Sequence, residues 1–197
     1  SRGRVLAAVG VILGFGVVSL LFAGSASLPM RDGVLKLPGL QAPVAVAFDA
    51  YGIPVVAAGD RLDAMRALGY VTAQDRLFQM DLLRRNSAGR LAEVLGESGL
   101  QVDLRQRNLG LSSVAEAVLR RLPEEQRAVL EAYAEGVNAF LEQMTVPPFE
   151  FLLLGYRPAR WSPTDSILLV LAMFQMLNGY EDDERMRTVM KASLPEE

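Results

Sequence analysis

The side chains that could do chemistry in this chain are carboxylates, guanidiniums and hydroxyls, because its 197 residues include no histidine and no cysteine. A Ser-His-Asp triad, a Cys-His pair and a histidine-ligated zinc therefore cannot be built from these residues alone. The absence of cysteine also removes disulfides and thiolate metal sites.

The densest group of carboxylates is the run from Glu181 to Glu184, in which all four residues are acidic. Hard cations such as calcium take carboxylate oxygens as ligands. A solvated run of charge is the alternative interpretation, and the spacing alone favours it over a metal site.

A second charged group lies between residues 75 and 85 and mixes two aspartates with three arginines. It could do acid–base work, but Asp81 is three and four residues from Arg84 and Arg85, a spacing that pairs side chains on one helix face. We therefore predict structural ion pairs here. Tyr70 is expected to be packed with its hydroxyl bonded, and the neighbouring apolar residues are expected in the core: Leu77, Phe78, Met80 and Leu82.

The elements that must position these residues are a β-hairpin and a series of helices. Alternating apolar residues at 44–48 and 53–57 flank the turn Asp49–Gly52, and Pro54 fits an edge or the start of a strand. Asp60 can cap a helix that runs through Tyr70. Further helices are predicted over 74–85, 90–95, 111–121, 123–141 and 166–177, with 144–164 mostly loop. A last helix is predicted after the acidic run, to about residue 191.

Two features are unusual for a self-sufficient domain. Strand content is very small, and the helix over 166–177 is apolar on nearly every face, which predicts burial all round. Both features indicate that another chain supplies much of the core.

The net charge of −3 and the pI of about 5.2 give no electrostatic footprint for nucleic acid, so we expect no nucleic-acid partner. Residues 5–24 are apolar or small apart from Ser19, and Arg2 and Arg4 precede them. This length suits a membrane anchor with the N-terminus in the cytoplasm and the rest of the chain outside it. A cleaved signal peptide is the alternative. The predicted organisation is an anchor at 1–24, a linker at 25–43 and one domain from 44 to 197.

Five segments resemble, in order, the α-chain of the penicillin amidase family of N-terminal nucleophile hydrolases. They are Asp49–Pro54, Leu68–Met80, Arg84–Gly96, Tyr133–Ala139 and Arg160–Asp165. The second contains Ala-Gln-Asp-Arg-Leu-Phe-Gln-Met, and the third ends in Gly-Arg-Leu-Ala-Glu-Val-Leu-Gly.

The resemblance implies an α+β, four-layer αββα fold that a β-chain completes. It implies a precursor that cuts itself, and the new N-terminal residue of the β-chain, usually serine, is the nucleophile with its own α-amine as general base. No catalytic residue is then expected in this chain, and no organic cofactor. The implied activity is hydrolysis of a small-molecule, non-peptide amide through an acyl-enzyme. A non-catalytic, membrane-tethered subunit of a larger assembly is the alternative.

The resemblance also implies four site residues. Glu184 aligns with a glutamate that helps bind structural calcium in penicillin G acylase. Phe174, Leu177 and Asn178 align with residues that line the acyl pocket, where that enzyme has methionine, arginine and phenylalanine. The chain departs from it at all three positions, which argues against specificity for phenylacetyl groups.

Overall fold

The computed structural model describes residues 28–178 and 181–193. This part of the chain contains two strands, β1 (Ala45–Phe48) and β2 (Pro54–Ala57), and a short 3₁₀ helix at Gly96–Gly99. It also contains eight α-helices: α1 (Arg61–Ala88), α2 (Ala92–Leu95), α3 (Leu100–Leu109), α4 (Leu111–Arg121), α5 (Glu124–Gln143), α6 (Phe149–Leu154), α7 (Pro163–Leu177) and α8 (Glu181–Ser193). The predicted anchor at 5–24 lies outside the described residues. Within them, no helix has both the length and the apolar character needed to cross a bilayer.

The predicted β-hairpin is confirmed. β1 and β2 pair antiparallel, with Phe48 opposite Pro54, so the proline occupies the first position of its strand. Asp49 closes the turn, because its Oδ1 accepts the backbone N–H groups of Tyr51 and Ile53, each at 2.8 Å. Gly52 has a φ of 77°, a conformation in which glycine has no steric penalty.

The chain divides into two compact units, and the division falls inside α1. Within the described residues, one comprises 28–82 and 122–163, and the other comprises 83–121, 164–178 and 181–193. The first contains the hairpin, most of α1, α5 and α6. The second contains the end of α1, the helices α2 to α4 and almost all of α7, together with α8.

In the first unit, α1 and α5 pack with their backbones in near contact. A Cβ atom at Gly69 would lie 2.1 Å from the carbonyl oxygen of Tyr133, and one at Gly136 would lie 1.9 Å from that of Arg66. Around this crossing Ala73 and Val137 are completely buried, and Tyr70 packs edge-on against the ring of Phe140. The two glycines therefore set the distance between the two main helices of the unit.

The start of α1 also holds the segment that precedes the hairpin. Asp60 caps the helix as predicted, with Oδ2 accepting the N–H groups of Leu62 at 2.8 Å and Asp63 at 3.1 Å. The buried carboxylate of Asp63 accepts the N–H groups of Gln41 and Ala42 at 3.0–3.1 Å, and Arg66 pairs with it at 3.1 Å. Residues 41 and 42, at the end of the predicted linker, are thus fixed to the helix.

Helix α1 is longer than either of the two helical runs predicted there. The two predicted runs meet later in the chain than expected, because the first continues through the buried Ala73. The break comes at Arg76, whose φ of −131° and ψ of 17° are not helical. Helix α6 lies within the predicted loop of 144–164. It begins after Pro148 and ends at Gly155, and Phe151 packs on the rings of Phe78 and Tyr156.

In the second unit, α3 lies in a region to which the sequence assigns no element. Its apolar residues at 100, 102 and 104 alternate as in a strand and are exposed, whereas its buried residues are the polar Asp103 and Gln106. Asp103 accepts the N–H groups of Leu91 at 2.7 Å and Ala92 at 2.9 Å, the donors at the start of α2. This helix is held by a buried carboxylate rather than by an apolar face.

Candidate functional site

The charged residues of 75–85 form ion pairs, as predicted, and not an acid–base site. Arg84 pairs with Asp165 at 3.3 Å and Arg85 with Glu93 at 2.6 Å. Asp81 is buried and accepts the hydroxyl of Tyr156 at 2.9 Å. Of the apolar neighbours predicted in the core, Leu77 and Met80 are buried, whereas Phe78 and Leu82 are partly exposed.

The titration properties of this region fit a structural role. The hydrogen bond from Arg90 lowers the pKa of Glu93, and the same bond raises the pKa of Arg90. Burial raises the pKa of Tyr70, whose hydroxyl donates to Gln143 Oε1 at 3.1 Å, as the sequence predicted for a packed tyrosine. Burial also raises the pKa of Tyr133. Because both tyrosines are held further in their protonated form, neither is suited to act as a base near neutral pH.

The three residues aligned with an acyl pocket lie at the end of α7. Phe174 and Leu177 leave 65% and 62% of their surface exposed, so the predicted burial of this helix on every side is not achieved within the chain. Asn178 follows the last helical residue and turns back, and its Nδ2 donates to the carbonyl oxygen of Phe174 at 2.8 Å. The structure therefore joins Asn178 to Phe174 and leaves the two apolar side chains on the surface.

Glu184 lies on α8 and is exposed. Its Oε1 accepts from Arg187 Nη1 at 2.8 Å, one helical turn later, and its backbone oxygen accepts from the hydroxyl of Thr188. Among the described side chains, those of residues 28–178 and 183–193, no three acidic or other metal-binding groups converge into a cation site. Glu184 can offer one carboxylate ligand if it leaves Arg187, and the other ligands would have to come from elsewhere.

A cavity of about 280 Å³ in the first unit has no counterpart in the sequence analysis. It lies between residues 30–48 and one face of α1, and its lining is largely apolar, with Leu35, Val46, Phe48 and Tyr70 among its residues. The guanidinium of Arg31, also at the cavity, lies 5.3 Å from the centre of the Phe48 ring. Residues 30–43 have no periodic pattern, so no sequence signal shows that they close a cavity.

Comparison with known proteins identifies relatives along most of the chain. The family model described as penicillin amidase matches residues 43–197. The penicillin acylase 2 proenzyme of Pseudomonas sp. (strain SE83) is 46% identical over 145 residues, which are 74% of this chain and 19% of that protein. The acyl-homoserine lactone acylase QuiP of Pseudomonas aeruginosa is 40% identical over 77% of this chain and 18% of its own length.

A solved structure shares the fold. The thermostable penicillin G acylase from Alcaligenes faecalis matches with a TM-score of 0.68 and 28% sequence identity, covering 77% of this chain and 82% of the solved chain. The present chain therefore spans only about a fifth of the curated relatives, yet most of one chain in the solved enzyme.

Proposed function

Because this chain belongs to the penicillin amidase family, we propose that it is the α-chain of an acylase that hydrolyses a non-peptide amide bond with a nucleophile on a second chain. The observation that carries this proposal is the difference between the shares of two relatives that this chain covers. A chain matching 19% of a proenzyme matches 82% of one chain in a solved acylase, as expected if a long precursor is cut into chains.

The exposed apolar surface supports a second chain packed against this one. On α7, Val170, Met173, Phe174, Met176 and Leu177 are each between 59% and 74% exposed. Burying such side chains contributes about 1.5–3 kcal/mol each, so leaving them in water is costly. The two-stranded hairpin also supports a second chain, because an isolated hairpin is marginally stable in water.

In the proposed reaction, the hydroxyl oxygen of the second chain's N-terminal serine attacks the amide carbonyl, and the α-amine of the same residue takes its proton. That proton passes to the leaving amine as the C–N bond breaks, which leaves an acyl-enzyme ester. Water then attacks the ester carbonyl, the acyl C–O bond breaks, and a proton from the water restores the serine hydroxyl as the carboxylic acid leaves. This chain contributes the end of α7 to the wall of the substrate site, through Phe174, Leu177 and Asn178.

Labelling with phenylmethylsulfonyl fluoride tests this proposal. We expect one sulfonyl adduct, found by mass spectrometry on the first residue of the second chain in the processed protein. Unprocessed precursor is the matched control and should remain unlabelled, because its α-amine is still part of a peptide bond. A processed protein that forms no adduct and cleaves no amide would instead support a non-catalytic subunit.

We propose that Glu184 is one ligand of a structural calcium ion whose other ligands belong to the second chain. Calcium takes 6–8 oxygen ligands, more than the exposed Glu184 can supply. Replacing Glu184 with alanine should abolish bound calcium in the two-chain protein and remove the fall in melting temperature that chelation causes in the parent.

Asp183 provides the matched control for this variant, because it removes the same charge from the same acidic run. Asp183→Ala should keep the bound calcium. Calcium retained in Glu184→Ala, measured by atomic emission after gel filtration, would eliminate Glu184 as a ligand.

We further propose that residues 5–24 anchor the enzyme in the cell membrane as a single span, with the acylase domain on the extracytoplasmic side. The length of the apolar stretch and the preceding arginines support this orientation. The full-length protein should then stay in the membrane pellet after alkaline carbonate washing. Recovery in the supernatant would contradict a membrane span.

A further inference from the structure

The last two turns of α7 present an apolar stripe without a charged side chain. Val170, Met173, Phe174 and Leu177 follow the spacing i, i+3, i+4 and i+7, which places them on one helix face. All four are well exposed in this chain, and the last turn of the helix contains no basic residue. A group that meets this face contacts hydrocarbon and an aromatic ring.

Asn178 ends the helix at the same place and carries no charge. Both its backbone N–H and its side-chain Nδ2 donate to the carbonyl oxygen of Phe174, at 3.0 and 2.8 Å. One hydrogen of the side-chain amide is therefore used in ending the helix, and the amide supplies no cation to a nearby anion. The C-terminal end of a helix carries a partial negative charge, which disfavours a nearby anion.

We infer that the part of the substrate meeting the end of α7 is uncharged and apolar, so that the enzyme selects neutral amides over carboxylate-bearing ones. This inference rests on the proposed function, which places α7 at the substrate site. A carboxylate there would lose hydration without gaining a cation from this helix, which contains no lysine or arginine. Leu177 is the position at which a single substitution would supply the missing cation.

The test compares two matched pairs of amides on the processed two-chain enzyme. Octanoyl-homoserine lactone and its ring-opened acid differ in the amine part, where opening the lactone produces a carboxylate and a hydroxyl. Hexanoyl and adipyl p-nitroanilides differ by one carboxylate at the end of the acyl part. We expect kcat/KM to favour the neutral member by about tenfold or more in at least one pair, the size of one charge-assisted hydrogen bond.

Leu177→Arg should shift that preference by about tenfold towards the carboxylate. The pair that responds identifies the part of the substrate that lies against α7. The substitution also places a cation at a helix C-terminus, where it is favourable, so the fold should tolerate it. Melting temperatures of all variants verify this.

Two variants separate the charge at this position from other effects. Gln175→Arg adds the same cation two residues earlier, about 200° around the helix and off the stripe, and should change neither ratio by more than about twofold. Leu177→Gln adds polarity without charge and should also leave both ratios within about twofold. An equal shift in Gln175→Arg or Leu177→Gln would contradict a specific role for a charge at residue 177.

Two other results would overturn the inference. If the parent enzyme hydrolyses the amides but prefers the carboxylate member of each pair, the end of α7 does not select for neutrality. The same holds if folded Leu177→Arg leaves both ratios unchanged. A processed protein that cleaves none of the four amides and takes up no sulfonyl group would overturn the proposed function itself.

Discussion

Replacing Gly136 with alanine should destabilise the protein by about 3 kcal/mol or more, the upper part of the range for over-packed sites. The new Cβ would lie 1.9 Å from the carbonyl oxygen of Arg66 and 2.9 Å from the backbone nitrogen of Tyr70. Both are backbone atoms of α1, so no side-chain rotation can relieve the clash and the helices must separate. In an isolated helix the same change would stabilise the helix by about 1 kcal/mol. Packing against α1 therefore changes the substitution from stabilising to destabilising.

Thermal denaturation of the protein measures this effect, and Gly69→Ala should behave similarly because its Cβ would lie 2.1 Å from the carbonyl oxygen of Tyr133. Gly59→Ala is the matched control. No atom lies within 4 Å of a Cβ at Gly59, so this variant should stay within about 0.5 kcal/mol of the parent. If the Gly136→Ala protein had the same melting temperature as the parent, α1 and α5 would not be in backbone contact.

Replacing Asn138 with aspartate should also cost about 3 kcal/mol or more at pH 7. The buried Asn138 side chain donates from Nδ2 to the carbonyl oxygen of Trp161 at 2.9 Å and accepts the Trp161 N–H at Oδ1 at 2.8 Å. The substitution keeps the shape but puts a carboxylate oxygen where the donor was. A buried charge then faces a carbonyl oxygen, which is among the costliest single changes in a folded protein.

The pH dependence distinguishes this cause from a general loss of packing. The new carboxyl would have a folded-state pKa raised above its unfolded value of about 3.9, because its protonated form can again donate to Trp161. The loss should therefore be fully present above the folded pKa and shrink as the pH falls towards about 4. Asn108→Asp, at an exposed position in the last turn of α3, is the control and should cost about 1 kcal/mol or less, because it places a negative charge near a helix C-terminus. An equal loss at every pH would contradict the proposed charge effect.

The residues substituted in both predictions lie in segments that resemble the family. Gly69 lies in the segment Leu68–Met80, Gly136 and Asn138 lie in Tyr133–Ala139, and the bonding partner of Asn138 lies in Arg160–Asp165. In the structure these residues set a helix crossing and fasten a loop to a helix. These residues of the family signature therefore serve packing, which agrees with the expectation that the nucleophile is on another chain.

The sequence alone determined those features that depend on neighbours along the chain. The hairpin turn, the Asp60 cap, the starts of most helices and the family could be recognised because each depends on residues a few positions apart. The sequence also indicates that α7 is too apolar for a free surface and so predicts a partner chain, and Phe174 and Leu177 are exposed in this chain.

Tertiary structure decided what depends on residues far apart along the chain. The sequence does not predict helix α3, because the buried residues of this helix are the polar Asp103 and Gln106. Local hydrophobic periodicity does not show that the carboxylate of Asp103 will accept hydrogen bonds from the start of another helix. The close contacts at Gly69 and Gly136 and the bonding of Asn138 to Trp161 likewise follow from packing between distant segments. Local preferences act through the backbone of adjacent residues, whereas these contacts exist only once the helices have packed together.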